Sequence, residues 1–228
     1  MTQRLGREAR LWRLVRSASD VLTVGLLGVA LVLSLQPNSA IRELWNQWRA
    51  KSTLGDALAE AWPLMERTAI SMYAGAGGAD IVLFSDYECT FCRQNAPIVD
   101  SILALGIRVK YIHTPAPSNP RARSAALAAV CADREGKFLP FHSRLMQTEH
   151  WRRDEDWGRE AKAVGIHNLP RFLGCLSDAS AARVLDKHWE AVRAAKVNGT
   201  PTFASRQSVA AGYQSLVQVT ALARSRPK

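Results

Sequence analysis

Asp86-Tyr87-Glu88-Cys89-Thr90-Phe91-Cys92-Arg93 is the stretch on which the reading of this chain turns. Ile81-Val82-Leu83-Phe84 precedes it, an apolar run of strand-forming residues, and a segment with helical spacing from Ala96 to Leu105 follows it. The two cysteines therefore fall where a strand ends and a helix begins. The first turn of a helix carries unpaired backbone N–H groups and the positive end of the macrodipole. A thiol placed there ionises more readily, and the thiolate is the form that attacks disulfides. Two intervening residues set the second sulfur one turn away, within bridging reach. Half of a zinc knuckle is the competing reading, but a structural zinc site wants four ligands, usually as a second close pair. Cys131 and Cys175 are too far apart in sequence to supply one. Dithiol redox chemistry is thus preferred over zinc and over an inert staple.

Outward from the motif, Asp80–Ser85 is a strand and Ile107–His113 the next, so the segment between them forms a βαβ unit with a right-handed crossover. Pro97 bends the intervening helix. Thr68–Tyr73 is a weaker strand, separated from the first by a turn at Gly75, Ala76, Gly77 and Gly78. Pro115, Pro117 and Pro120 mark a loop. Residues 121–196 then read as helices: one ended by Gly136, then Lys137–Gln147, Glu155–Val164 closed by Gly165, Leu169–Cys175 and Asp178–Lys196. An Asn198-Gly199 turn leads through Thr200-Pro201 into a strand, a second short strand at Ser208–Ala211, and a last helix, Ser215–Ala223.

The 228 residues suit one domain with appendages. Hydrophobic residues make up 47%, enough for a core, and the 22% charged fraction argues against wholesale disorder. The net charge is +10, of which Arg4, Arg7, Arg10, Arg13 and Arg16 against Glu8 place +4 before residue 20. The rest is scattered, with no basic stripe interleaved with aromatics, so nucleic acid is not an expected partner. The arginines precede Val21–Leu35, an apolar run broken only by Thr23 and Ser34. Residues 1–18 are read as a basic cytoplasmic segment and 19–36 as a hydrophobic helix, either a single inner-membrane anchor or a signal sequence. The anchor is preferred because Asn38 sits where cleavage wants a small residue. Residues 37–78 are a spacer with the first weak strand; Trp45, Trp48 and Trp62 lie on rough helical spacing, interrupted by Pro63.

Three motifs, in order, resemble the DsbA-like thiol:disulfide oxidoreductases of the thioredoxin superfamily: Phe84 to Cys92; Ala128-Ala129-Val130-Cys131-Ala132 with Gly136-Lys137-Phe138; and Gly199-Thr200-Pro201-Thr202-Phe203. The resemblance covers roughly Ala79 to Ala223. It implies an α/β thioredoxin fold, βαβ…ββα, with a helical insert at 121–196 inside a domain of 79–228. It implies that the Thr200-Pro201 bond is cis and that this loop faces the sulfurs, with Thr200 and Pro201 binding an extended substrate. Two departures stand out. The position six residues before the first cysteine, an acid in many such enzymes, is Leu83, which removes the expected buried carboxylate. Thr90 and Phe91, between the cysteines, carry no charge, so acidity of Cys89 must come mainly from the helix terminus and local N–H groups.

The expected activity is thiol–disulfide exchange on cysteine-containing proteins, in the oxidising direction, as the insert resembles the DsbA type. Cys89 is the nucleophile and Cys92 the resolving thiol. A reductase or isomerase, or a non-catalytic anchored binding module with structural disulfides, are the alternatives. No cofactor and no metal is implied; a membrane or periplasmic redox partner is, with the domain facing the periplasm. Cys131 and Cys175 are assigned a structural disulfide ahead of two buried thiols. The five histidines show no metal-ligand spacing. Asp86 or Glu88 is expected to turn from the sulfurs and cap the helix, and Arg93 to be solvated.

Overall fold

The computed structural model describes residues 23–29, 31–32, 40–73 and 77–225. The chain divides into two compact units, Met1–Thr53 and Leu54–Lys228. In the first, residues 23–29 and 31–32 are helical, with Leu26, Leu27 and Val32 exposed. Among the described residues no helix is long and apolar enough to cross a membrane; the other residues of the 19–36 run lie outside them. A helix over Ala40–Thr68 (α1) continues through Pro63 rather than stopping there.

The second unit is built on a five-stranded sheet: Ile70–Ser71 (β1), Ile81–Ser85 (β2), Val109–His113 (β3), Thr202–Ala204 (β4) and Val209–Ala211 (β5). Their order is β1-β3-β2-β4-β5. The β2–β3 pair is parallel, with Ile81 opposite Val109 and Ser85 opposite His113; all the other pairings are antiparallel. The parallel pair needs a crossover, and helix Thr90–Ala104 (α2) supplies it, running through Pro97. All five residues of β2 are buried, as befits a central strand covered on both faces.

Those two faces carry two apolar clusters. On one, Ile81, Leu83, Val109, Tyr111 and Phe203 pack with Val99 and Ile102 of α2 and with the insert. On the other, Val82, Phe84, Ile112 and Ala204 meet Leu58, Ala61, Trp62 and Met65 of α1, and Ala191, Val192 and Ala195. Residues 54–68, expected in the spacer, thus pack as part of the domain.

The insert holds Pro120–Arg134 (α3), Phe138–Gln147 (α4), Trp151–Asp154 (α5), Trp157–Ala163 (α6), Leu169–Cys175 (α7) and Ala179–Ala194 (α8); Leu216–Arg224 (α9) closes the chain. Its alanine-rich α3 buries Ala122, Ala125, Ala126, Ala128 and Ala129, small side chains that let neighbouring helices approach closely. Gly136 and Gly165, at φ +67° and +75°, take the left-handed conformation after α3 and α6, where a Cβ would be penalised. Asn119, Asn168 and Asp178 cap α3, α7 and α8 with their side chains. Cys131 of α3 and Cys175 of α7 are joined by a disulfide.

Candidate active site

Cys89 ends the loop after β2, and its own side chain caps α2: the sulfur accepts the Cys92 N–H at 3.3 Å. This corrects the expectation that Asp86 or Glu88 would cap the helix. Both cysteines are free thiols, Cys89 partly exposed and Cys92 buried. Phe91 between them is exposed. The Thr200-Pro201 bond is cis, and the Cys89 thiol donates to the Thr200 carbonyl at 3.4 Å, across 111 residues of sequence. Cys89, Cys92, Thr200 and Pro201 therefore come together at one end of the sheet, with Cys131 and Cys175 bridged within the insert. Among the described residues no cluster of three or more His, Cys, Asp or Glu is arranged to hold a metal ion.

The two thiols differ sharply. Cys89 is lowered to about 6, first by the hydrogen bond from the Cys92 thiol, against some desolvation, then by the Thr200 side chain and the N–H groups of Cys92 and Phe91. The largest contribution is therefore the neighbouring thiol, with the helix-start N–H groups secondary to it. The Thr200 carbonyl serves only the protonated form; once the proton leaves, the Thr200 hydroxyl is the useful donor. Cys92 is pushed far up, by burial first and then by the Cys89 sulfur. A lowered value enlarges the thiolate fraction above it: at pH 7 roughly nine-tenths of Cys89 is ionised, against roughly a hundredth for an unshifted thiol at 9.0. Alkylation of the reduced protein by iodoacetamide is accordingly expected to rise with a midpoint near pH 6 and to level off by about pH 7.5, with Cys92 unlabelled throughout. Mass spectrometry across pH 4–9 reads this directly.

Asp86 is buried and ties the loop down, accepting the Glu88 N–H at 2.9 Å and the Ala116 N–H at 3.0 Å. Burial raises its carboxyl in spite of these bonds. Glu88 turns to the insert, where Arg121 and Arg152 hold it. Burial alone would raise its carboxyl, but hydrogen bonds from Arg152 and Arg121 hold it below the usual range. Arg93 is not solvated as expected: its side chain is 13% exposed and donates to the carbonyls of Leu145 and Thr148 and to Glu149. Asn95, buried on α2, exchanges two hydrogen bonds with the Gln214 backbone and so fixes this helix to the approach to α9. A buried polar residue at a core position of an amphipathic helix is the signal that could have found it.

Behind the sulfurs lies a buried neutral cluster. Tyr87, Tyr111, His113, Phe138 and His142 pack ring against ring, and Tyr87 Oη is 3.2 Å from His142 Nδ1. Desolvation drops His142 to about 3 and His188 to about 4, so both are uncharged at neutral pH. His188 Nδ1 accepts the backbone N–H of His113. With Leu83 apolar, no carboxylate stands at that point of β2.

A family model described as thioredoxin matches residues 69–222. The Na(+)/H(+) antiporter NhaA 3 of Salinispora tropica is 32% identical over 126 residues, covering 54% of this chain but 19% of the antiporter. The chain thus spans about a fifth of the length of that relative. Among solved structures, the thiol-disulfide exchange protein α-DsbA2 from Wolbachia pipientis superposes with a TM-score of 0.65 at 20% identity, over 77% of this chain and 96% of its own. The catalytic domain of Proteus mirabilis ScsC gives 0.61 at 22% identity, over 75% and 96%. These likenesses establish a shared fold.

Proposed function

Since the chain belongs to the thioredoxin family, we propose that it is a thiol–disulfide oxidoreductase whose reacting sulfurs are Cys89 and Cys92. The observation that carries this reading is the asymmetry of the pair: an accessible, acidified thiol at a helix start beside a buried, weakly acidic one. In the oxidising direction a substrate thiolate attacks Cys89 Sγ of the Cys89–Cys92 disulfide. The S–S bond breaks, and Cys92 leaves with the bonding pair and takes up a proton. A second substrate thiolate then attacks the substrate sulfur of the mixed disulfide. The substrate leaves oxidised, and Cys89 is released as the thiolate. Thr200 and Pro201 line the approach, with the Thr200 backbone meeting an extended segment of the substrate.

Oxidation is the favoured direction because a thiolate stabilised in the reduced state makes its disulfide the stronger oxidant. The domain works outside the inner membrane, held there through residues 19–36. The five arginines before that run and the Cys131–Cys175 bridge both favour this placement. A membrane or periplasmic redox partner reoxidises the pair.

The test is Cys92→Ala in the full chain. With the resolving thiol gone, Cys89 is expected to accumulate protein adducts that vanish on adding dithiothreitol, whereas a stapled binding module accumulates none. The direction is read from the potential of the Cys89–Cys92 couple. A value near about −120 mV supports the oxidase, and one near about −270 mV rejects it in favour of a reductase.

A further inference from the structure

Resting on the reading that Cys89 is the attacking sulfur, we infer that Glu88, Arg121 and Arg152 form a charge clamp through which the helical insert sets the ionisation of that thiol. Glu88 directly precedes Cys89, and its side chain is 7% exposed. An uncompensated carboxylate there would oppose formation of a thiolate one residue away. Two guanidinium groups, from two different helices of the insert, cancel it. Arg121, at the start of α3, brings Nε to 2.7 Å and Nη2 to 3.4 Å from the Glu88 carboxylate oxygens. Arg152, on α5, brings Nη2 to 3.0 Å and Nε to 3.2 Å. Both arginines thus present two N–H groups to one carboxylate, the fork geometry that fixes orientation as well as charge.

The clamp extends around the motif. Arg152 also holds Glu149 at 2.7 Å, and Glu149 meets Arg93 at 2.6 Å. Arg93 directly follows Cys92. Alternating charges therefore run from the residue before the first cysteine to the residue after the second, with one more arginine than glutamate. The insert supplies the side-chain partners of the two motif residues. Glu88, Arg121 and Arg152 act through Cys89 and are positioning residues. The other groups around the sulfur are Cys92 on its own helix, Asp86 in the preceding loop, Thr200 in the facing loop, and the neutral Tyr87, Tyr111, His113 and His142 behind. All of these remain in the variants below.

A merely structural role, pinning the insert to the motif, predicts that breaking either side of the clamp has the same kind of effect. A charge role predicts opposite signs. In the full chain, Glu88→Gln leaves Arg121 without its carboxylate and Arg152 with Glu149 alone, and the midpoint of Cys89 alkylation against pH is expected to fall by about 0.5–1 unit. Arg152→Met leaves Glu88 under-compensated, and the midpoint is expected to rise by about as much. Arg152→Lys keeps the charge and is expected to stay near the wild-type midpoint. Both Glu88→Gln and Arg152→Met should lower the melting temperature, so stability moves one way while acidity moves in two. Shifts in the same direction, or no shift in folded proteins, overturn the clamp. Should Glu88→Gln fail to fold, the contrast between Arg152→Met and Arg152→Lys decides. Alkylation needs no substrate protein, so loss of exchange activity would count against the proposed function and leave this measurement intact.

Discussion

Cys89→Ser is expected to cut thiol–disulfide exchange at pH 7 by at least about 10³-fold, because a serine hydroxyl stays protonated where this thiol is ionised and forms no disulfide. The fold should survive. Serine is close to isosteric, and its oxygen can still accept the Cys92 N–H that closes the start of α2. Cys92 cannot substitute, since it is 3% exposed and its thiol is pushed well above the usual range. The assay is oxidation of a reduced dithiol peptide, with circular dichroism to verify the fold. A variant retaining a tenth or more of the wild-type rate would mean that the attacking sulfur lies elsewhere.

The largest expected effect on stability comes from the other pair. Cys131→Ala with Cys175→Ala opens a bridge closing a sequence separation of 44 residues. The chain-entropy relation gives roughly 4 kcal/mol for a loop of that size. At about 2–4 °C per kcal/mol for a protein of this length, melting should fall by about 8–16 °C. Both sulfurs are buried among the insert's apolar residues, so truncation to alanine also removes packing. The bridge joins α3 to α7 and leaves Cys89 and Cys92 untouched, so exchange below the new melting point should stay within about twofold of wild type. A loss under about 1 kcal/mol in urea titration would show that the insert holds itself together without the covalent link.

How much of this could be read beforehand depends on how far each interaction reaches along the chain. The β2 strand, the helix after the cysteines and β3 follow from local patterns, since a central strand is apolar throughout and its helix carries period-3.6 spacing. Leu169–Cys175 forms over the range read for it, with the Asn168 side chain capping its start. Trp151–Asp154 was not, for four residues are too few to show periodicity. Pro63 suggested a break, yet α1 runs through it because its apolar side is packed against the sheet. The charge partners of Glu88 and Arg93 lie 33 to 64 residues away in sequence, beyond any spacing rule. The meeting of Thr200 with Cys89 spans 111 residues and was accessible only through family resemblance. Helix capping misled in a specific way: the preference for aspartate is sound, but a sulfur already at the cap position took the N–H itself.

The stretch of α1 from Leu54 to Thr68 lies ahead of the region that the family model covers, yet Leu58, Ala61, Trp62 and Met65 cover part of one side of the sheet, beside Ala191, Val192 and Ala195. The unit that folds around this sheet is therefore larger than the matched region. A transplant trimmed to the first sheet strand would leave Val82, Phe84 and Ile112 covered by Ala191, Val192 and Ala195 alone, a partly bared apolar patch on the underside of an otherwise intact sheet.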